Sequence, residues 1–381
     1  MELINKIRTY SIPLIAGVIV ALIAANLFPE TYHHLIHAPI IGEINFHFLV
    51  NDIFMVFFFG TAGVEIVHSL SKGGALNPIQ KAVAPLMATA GGILGPIAVF
   101  FILNMIIGDP SYANGWGICT ATDIALAWLF AKLIFGADHP AVKFLLLLAV
   151  ADDAIGLIII AVFYPSPDKA FLPMWLLLIP AGMLVAFILR KMNVRNFWAY
   201  VLLGGTLAWF GLHNAGLHAA LALVFIVPFM PKADHSEGHE EHHDAPELAL
   251  DGFERIITPI VDFGLFFFGF SAAGVEFSNV SALSFTVMLA VIIGKTVGIS
   301  LFTWVTTKFK VSLPEGMTMK DVIVAGFVGG IGLTVALFVC ESAFTDASLV
   351  SAAKMGALFT VISAVPAFIV AKILGIKKVQ N

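Results

Sequence analysis

Long apolar runs follow one another along the chain, separated by short polar, proline-rich or glycine-rich breaks. Because an α-helix rises 1.5 Å per residue, roughly 20 apolar residues cross the hydrocarbon core of a bilayer. The pattern predicts twelve such segments, beginning near residues 11, 53, 82, 115, 141, 172, 197, 216, 256, 282, 321 and 348. We therefore expect an all-α integral membrane protein of about twelve transmembrane helices, with residues 1–381 forming one domain.

The composition agrees with a membrane setting. Apolar residues make up 59% of the chain and charged residues 12%, and the mean hydropathy is +0.96, outside the range of soluble domains. The first apolar run follows Lys6 and Arg8 and continues as a full span, so no cleavable signal peptide is predicted. Cys119 and Cys340 lack metal-ligand or disulfide-framework spacing and are interpreted as free buried thiols. Nothing in the sequence supports binding of nucleic acid.

Lysine and arginine predict the orientation, because they concentrate in the cytoplasmic loops of membrane proteins. They cluster in the even-numbered connections and are nearly absent from the odd-numbered ones, where Lys169 is the exception. The clustered residues are Lys72, Lys81, Lys132, Lys143, Arg190, Lys191, Arg195, Lys232, Arg255, Lys308, Lys310 and Lys320. Both termini are basic and fall on the same side, which predicts that both are cytoplasmic.

Two connections have features of their own. Pro39 to Asn51 combines β-prone residues with a glycine-containing turn, which predicts a short outer hairpin, with an irregular loop as the alternative. Pro231 to Glu254 is the longest cytoplasmic connection and is rich in histidine and acidic residues. We interpret this connection as a solvated linker in preference to a metal-binding or pH-sensing segment. Its histidines are His235, His239, His242 and His243.

An internal repeat relates two pairs of segments. Residues 57–65 (FFFGTAGVE) in segment 2 resemble residues 266–276 (FFFGFSAAGVE) in segment 9, and 122–126 in segment 4 resemble 334–337 in segment 11. Both matches are offset by seven segments, an odd number, so partner segments cross the membrane in opposite directions. An inverted-topology repeat is typical of secondary transporters whose site lies near the midplane.

Segments 4 and 11 are predicted to be broken helices. Segment 4 has polar Thr120, Thr122 and Asp123 at its centre, and segment 11 contains Gly329-Gly330-Ile331-Gly332. Glycine permits non-helical backbone, which is tolerated at this depth only where it is buried or lines a cavity. We expect the two breaks to cross at the midplane, with compensating charges at the half-helix ends.

Four charged residues lie in the central third of the membrane. Asp152 and Asp153 sit in the middle of the apolar run 143–164, and Asp123 and Lys295 lie at similar depth. A charge at this depth costs at least ~2.5–3.5 kcal/mol on insertion scales, which indicates a function. Neighbouring residues on a helix point about 100° apart. We therefore expect one aspartate to pair with Lys295 and the other to face a cavity with Asp123.

This constellation predicts ion and proton binding. Burial favours the protonated form of a carboxyl group, and ionised carboxylates with nearby hydroxyl or carbonyl oxygens suit a hard cation such as Na⁺. Protons and cation then compete for the same oxygens. Alternatives stay open: Asp123 as a helix cap, and Lys295 as either a structural counter-ion or a direct proton carrier. Glu65 and His68, near the cytoplasmic end of segment 2, form either a pH-sensing or an interfacial pair.

These residues resemble the NhaA sodium/proton antiporter family, and the similarity extends from about residue 10 to 375. Members of that family have inverted-topology repeats. The motifs that carry the resemblance are Thr122-Asp123-Ile124-Ala125, Ala151-Asp152-Asp153, Gly294-Lys295 with Gly298, and Gly330-Ile331-Gly332-Leu333-Thr334. The chain departs from the family pattern at Cys119-Thr120, at His68-Ser69 and at 271–276, where an asparagine is lost.

The resemblance implies roles for single residues. It implies that Asp153 and Asp123 bind the cation (Na⁺ or Li⁺) and protons, that Thr122 contributes oxygen, and that Asp152 pairs with Lys295. It further implies a homodimer in the bacterial inner membrane, held partly by the outer hairpin and activated at alkaline pH. No cofactor and no enzymatic activity are expected.

The leading hypothesis is an electrogenic Na⁺(Li⁺)/H⁺ antiporter that works by alternating access. The alternative is a proton-coupled organic-anion carrier on a related fold, which needs cationic groups facing the cavity; Lys295 is the intramembrane candidate. An intramembrane aspartyl protease is disfavoured, because its Tyr-Asp and Gly-x-Gly-Asp contexts are absent from the sequence. A passive channel is disfavoured by the compact charge cluster.

Overall fold

The structure is a computed structural model, and it describes residues 11–42, 44–74, 76–77, 79–166, 171–232, 247–309 and 311–379. The histidine-rich part of the connection between segments 8 and 9, with His235, His239, His242 and His243, lies outside the described residues. The solvated linker expected there stays a prediction.

Helices form at each of the twelve predicted positions in the described part of the chain. Their bounds are α1 Ile12–Leu27, the short α2 Pro29–His37, α3 Phe46–Leu70, α4 Ile79–Ile107, α5 Pro110–Thr120 (with 3₁₀ turns), α6 Ile124–Phe135, α7 Pro140–Phe163, α8 Pro173–Lys191, α9 (197–215), α10 Ala219–Phe229, α11 Ala249–Ala272, α12 Ala282–Lys308, α13 Met319–Gly329, α14 Thr334–Ala343 and α15 Ala347–Ile373. By length and hydropathy, seven of these described helices are able to cross a membrane, or nine if each bent pair counts as one span.

Segments 4 and 11 are both broken, as predicted. The axes of α5 and α6 differ by 60°, and those of α13 and α14 differ by 52°. The glycine-rich stretch after α13 supplies the second break, and Ala121 to Asp123 supply the first. Each segment therefore presents the N-terminus of its second half inside the protein.

The first connection forms a hairpin that is shorter than predicted. Strand β1 (Pro39–Ile41) pairs antiparallel with β2 (Ile44–Asn45), and Ile41 faces Ile44. The predicted extent to residue 51 is wrong, because the side chain of Asn45 accepts a hydrogen bond from the Phe48 N–H at 2.8 Å and caps α3. Helix α3 consequently begins about seven residues before the predicted start at 53. Helix α11 also begins about seven residues before its predicted start at 256, within the connection predicted to extend to Glu254.

The helices pack as two bundles. The first bundle contains α1, α3, α8, α9, α10 and α11, and the second contains α4, α5, α6, α7, α12, α13, α14 and α15. The larger contacts between the two bundles are those of α3 with α7 and of α11 with α14. The seam between the bundles is thus lined by the helices that carry the predicted charged residues.

Glycines bring α4 and α12 into backbone contact. A Cβ at Gly298 would lie 2.0 Å from the carbonyl oxygen of Gly91, and a Cβ at Gly91 would lie 2.1 Å from that of Gly298. Gly95 and Gly294 meet in the same way one turn along. Small residues at four-residue spacing allow such approach in membrane helices. This crossing fixes the position of the helix that carries Lys295.

Candidate functional site

Asp123 connects the two breaks. Its backbone N–H donates to the carbonyl oxygen of Ile331 at 2.7 Å. Its carboxylate accepts from the N–H of Leu126 at 3.0 Å and from the N–H of Thr334 at 3.3 Å. The carboxylate therefore caps α6 and also faces the N-terminus of α14, and a negative charge is stabilised at both helix N-termini.

Asp152 and Lys295 form a fully buried ion pair. Both side chains have no exposed area, and the ammonium group of Lys295 contacts Oδ2 of Asp152 directly. The ammonium also donates to the carbonyl oxygen of Thr120 and to the hydroxyl of Thr122, each at 2.6 Å. The hydroxyl of Thr122 lies 2.7 Å from Oδ2 of Asp152 and 3.1 Å from the carbonyl oxygen of Gly329. The lysine thus ties α12 to segment 4 and to α7, and Thr122 extends the network to Gly329 of segment 11.

Asp153 points away from this pair. Its Oδ1 atom is buried and has no hydrogen-bond partner among the described residues. Asp153 lines a cavity of about 160 Å³ together with Asp123 and Thr334, and we call it the carboxylate cavity. Buried carboxylate oxygens are normally hydrogen-bonded. An unpartnered oxygen at a cavity therefore indicates a group that takes up a proton or a cation.

The opposite wall of the carboxylate cavity belongs to the first bundle. The residues on this wall include Thr61, Glu65, Glu254, Thr258 and Asp262. The cavity therefore lies in the seam, with the second bundle supplying Asp123 and Asp153.

Among the described residues, Glu65 and His68 share no hydrogen bond or ion pair. Glu65 lines the carboxylate cavity, whereas Nε2 of His68 lies 2.9 Å from the carboxylate of Glu254 at the exposed end of the seam. The acidic partner of His68 is thus on α11 rather than on its own helix. Their role in pH sensing stays a prediction.

Several groups of the site were not predicted from the sequence. The Thr120 carbonyl and the Thr334 N–H are backbone groups, which no residue pattern reports. Glu254 reaches the site only because α11 begins earlier than predicted. Asp262 was detectable, since it precedes the repeated motif 266–276.

The carboxylate cavity offers oxygen donors for a cation. Asp123, Asp153 and Thr334 line it, and a hard cation prefers carboxylate and hydroxyl oxygens of this kind. Across the described residues, no group of three or more histidine, cysteine, aspartate or glutamate side chains is placed to hold a metal ion.

Two broken helices that cross at buried carboxylates, in the seam between two helix bundles, define a secondary transporter. The family model described as "Na+/H+ antiporter 1" matches residues 1–372, and the chain belongs to this family. The family assignment made from the sequence motifs is thereby confirmed.

Relatives match over nearly their whole length. The chain is 55% identical over 379 residues to a protein of Desulfitobacterium hafniense named Na⁺/H⁺ antiporter NhaA, covering 99% of this chain and 97% of the relative. It is 52% identical over 377 residues to the protein of that name from Geobacter sulfurreducens, covering 99% of each.

A solved structure shares the fold. The sodium proton antiporter MjNhaP1 of Methanocaldococcus jannaschii superposes with a TM-score of 0.55 at 16% identity, covering 98% of this chain and 99% of that one. With the two broken helices, this likeness confirms the predicted fold class.

Proposed function

We propose that the protein exchanges Na⁺ (or Li⁺) for H⁺ by alternating access, as one transporter domain formed by residues 1–381. The observation that carries the proposal is that Asp153 lines the carboxylate cavity together with Asp123, and that its Oδ1 atom is buried without a hydrogen-bond partner in the described structure. Relatives that are at least half identical over almost the whole chain carry the name of this activity.

Competition for the same oxygens couples the two ions. A bare carboxylate in a membrane interior is unfavourable, so Asp153 and Asp123 bind either protons or a cation. A cation entering the carboxylate cavity displaces the protons, and protons arriving from the other side displace the cation. Movement of the seam between inward-open and outward-open states then carries one or the other across.

The ion pair between Asp152 and Lys295 holds the cargo site in place. Lys295 contacts Thr120 and Thr122 on segment 4 immediately before Asp123, so the pair positions that carboxylate from the side away from the cavity. Two protons on Asp153 and Asp123 against one monovalent cation make the exchange electrogenic. Proton release from Lys295 in place of one carboxylate would also move two protons.

The arrangement does not favour an organic-anion carrier. Such a carrier needs cationic or amide groups at its substrate cavity. The carboxylate cavity is lined by acidic residues, and the ammonium of Lys295 is buried and occupied by three oxygen partners.

The finer assignments belong to this proposal as well. We place the protein in the inner membrane of a bacterium with both termini in the cytoplasm, as the lysine and arginine pattern indicates. We expect a homodimer, activation at alkaline pH with Glu65 and His68 at the cytoplasmic mouth, and no cofactor beyond the transported ions.

The test is a pH-gradient assay in everted membrane vesicles. NaCl, LiCl or KCl is added across a pH series to vesicles that hold the wild-type protein or Asp153→Asn. We expect Na⁺ or Li⁺ to collapse the gradient with the wild type and not with the variant. The matched control is Asp138→Asn, which removes an exposed carboxyl group from the loop between α6 and α7.

Retention of the melting temperature by purified Asp153→Asn shows that loss of exchange is not loss of folding. Full exchange by folded Asp153→Asn would contradict the site assignment. Absence of any cation response in the wild type would contradict the proposed exchange itself.

A further inference from the structure

A second cavity lies in the same seam. It has a volume of about 400 Å³ and we call it the histidine cavity. Residues on its walls include His33, His37 and His47 from the first bundle side and Glu341 and Lys354 from the second. None of these residues belongs to the carboxylate cavity.

The two cavities lie at successive depths along shared helices. On α14, Thr334 lines the carboxylate cavity and Glu341 lines the histidine cavity, which separates them by about 10 Å along the axis. On α1 the corresponding residues are Leu14 and Ala25. Because the predicted orientation places the N-terminus in the cytoplasm, the histidine cavity faces the outer side.

The wall between the cavities contains a contact between the bundles. The rings of Phe59 on α3 and Phe338 on α14 meet edge to face, with 5.2 Å between their centroids. Both side chains are buried. Phe338 lies between Thr334 and Glu341 on α14, so this contact separates the carboxylates from the outer side.

A charged cluster joins the bundles outside this wall. The carboxylate of Glu341 lies 2.7 Å from Nζ of Lys354 on α15 and 3.0 Å from Nε2 of His47 on α3. It also accepts a hydrogen bond from the amide of Asn51, which in turn lies 3.0 Å from His47. Two partners of Glu341 therefore belong to the first bundle and one belongs to the second.

Because its partners are divided in this way, the cluster can open without leaving the Glu341 carboxylate without a counter-charge. Separation of the bundles breaks the contacts of Glu341 with His47 and Asn51. Lys354 stays with Glu341, because both residues are in the second bundle. An ionised side chain left without a counter-charge would make such opening very unfavourable, and Lys354 prevents this.

We propose that His47 and Asn51 of α3, bound to Glu341 of α14, form an outer gate that closes the seam in the inward-open state. The gate rests on the proposed alternating access, which requires the carboxylate cavity to open outward in turn. Breaking its contacts should raise the population of the outward-open state, because the gate as proposed is closed in the inward-open state and open in the outward-open one.

The test measures access to the carboxylate cavity instead of transport. Thr61, which lines that cavity, is replaced by cysteine in a background with Cys119→Ala and Cys340→Ala. A membrane-impermeant thiol reagent is added to right-side-out vesicles, and the labelling rate is measured. We expect His47→Phe with Asn51→Leu to raise that rate at least about fivefold, a typical size for conformational coupling.

The matched control is His33→Phe, which removes a histidine of the same cavity that has no hydrogen bond or ring contact with His47, Asn51 or Glu341 in the described structure. This control should react with the thiol reagent at the same rate as the parent protein. An unchanged melting temperature of each purified variant reports that it is folded. An unchanged outer rate in the double variant, or an equal rise in the control, would overturn the gate. If the parent protein still exchanges Na⁺ for H⁺, the proposed function would stand although the gate is refuted.

Discussion

Removal of the Lys295 ammonium tests the buried ion pair directly. In Lys295→Met, Asp152 keeps the hydroxyl of Thr122 but loses its counter-charge, and the carbonyl oxygen of Thr120 loses a donor. Loss of one partner from a buried ion pair costs about 3–5 kcal/mol. An unfolding entropy of ~2.1 cal/mol/K per residue then gives a fall in melting temperature of about 4–6 °C for a chain of this length. Membrane proteins keep helices when they unfold, so this shift is a lower bound.

The informative comparison is the double variant Asp152→Asn with Lys295→Met. Replacement of both charges leaves no uncompensated ion, and the amide oxygen of asparagine still accepts from Thr122. We expect this variant to regain most of the melting temperature lost by Lys295→Met. Lys308→Met, at the exposed end of the same helix, is the control and should melt like the wild type.

The pH dependence gives a further check on Lys295→Met. For a carboxyl group without a counter-charge, burial costs less free energy when the group is protonated. The stability deficit should therefore shrink from pH 8 to pH 6, as measured by thermal unfolding in detergent. A double variant no more stable than Lys295→Met at any pH would refute the reasoning. Na⁺-dependent proton movement by the double variant would identify Lys295 as a counter-ion, whereas its loss in a stable double variant would identify a proton carrier.

The remaining predictions concern helix packing and pH response. Gly298→Val should lower the melting temperature by several degrees, because a Cβ at this position would lie 2.0 Å from the Gly91 carbonyl oxygen. Gly156→Ala is the control and should leave the melting temperature unchanged, because a Cβ there meets no atom within 4 Å. Equal melting temperatures would argue against the close α4–α12 crossing. His68→Gln removes the imidazole that lies 2.9 Å from the Glu254 carboxylate, and we expect the pH profile of exchange in everted vesicles to differ from that of the wild type. An unchanged profile would argue against a regulatory role for that contact.

Features within one segment were predictable from the sequence. The broken helices followed from mid-span glycines at 329–332 and from Thr122-Asp123, because neither pattern fits a continuous lipid-facing helix. The different directions of Asp152 and Asp153 followed from helix geometry alone, because adjacent residues point about 100° apart. The family motifs added the roles, which the structure supports by placing Asp153 and Asp123 at one cavity.

Features that depend on packing between distant segments were not predictable. Glu341 meets His47 across 294 positions of the chain, and Lys354 completes the cluster from a third helix. Glu341 lies near the end of an apolar helix, where a lone acid usually means contact with the interface. The starts of α3 and α11 were placed too late for a related reason. At the start of α11, Ala249 and Leu250 are buried, and Phe46 to Phe48 at the start of α3 are half-buried. Hydropathy along one segment does not report the neighbouring helices that cover these turns.

The geometry also explains why both halves of the repeat are needed at one site. The carboxylate of Asp123 compensates the N-terminus of its own helix, α6, and that of α14 from the other half of the repeat. In the proposed exchange, a proton on Asp123 would weaken this compensation, and a cation bound to the carboxylate would compete with the same N–H groups. Because α14 also carries Phe338 and Glu341, the proposed cargo site and the proposed gate share this helix.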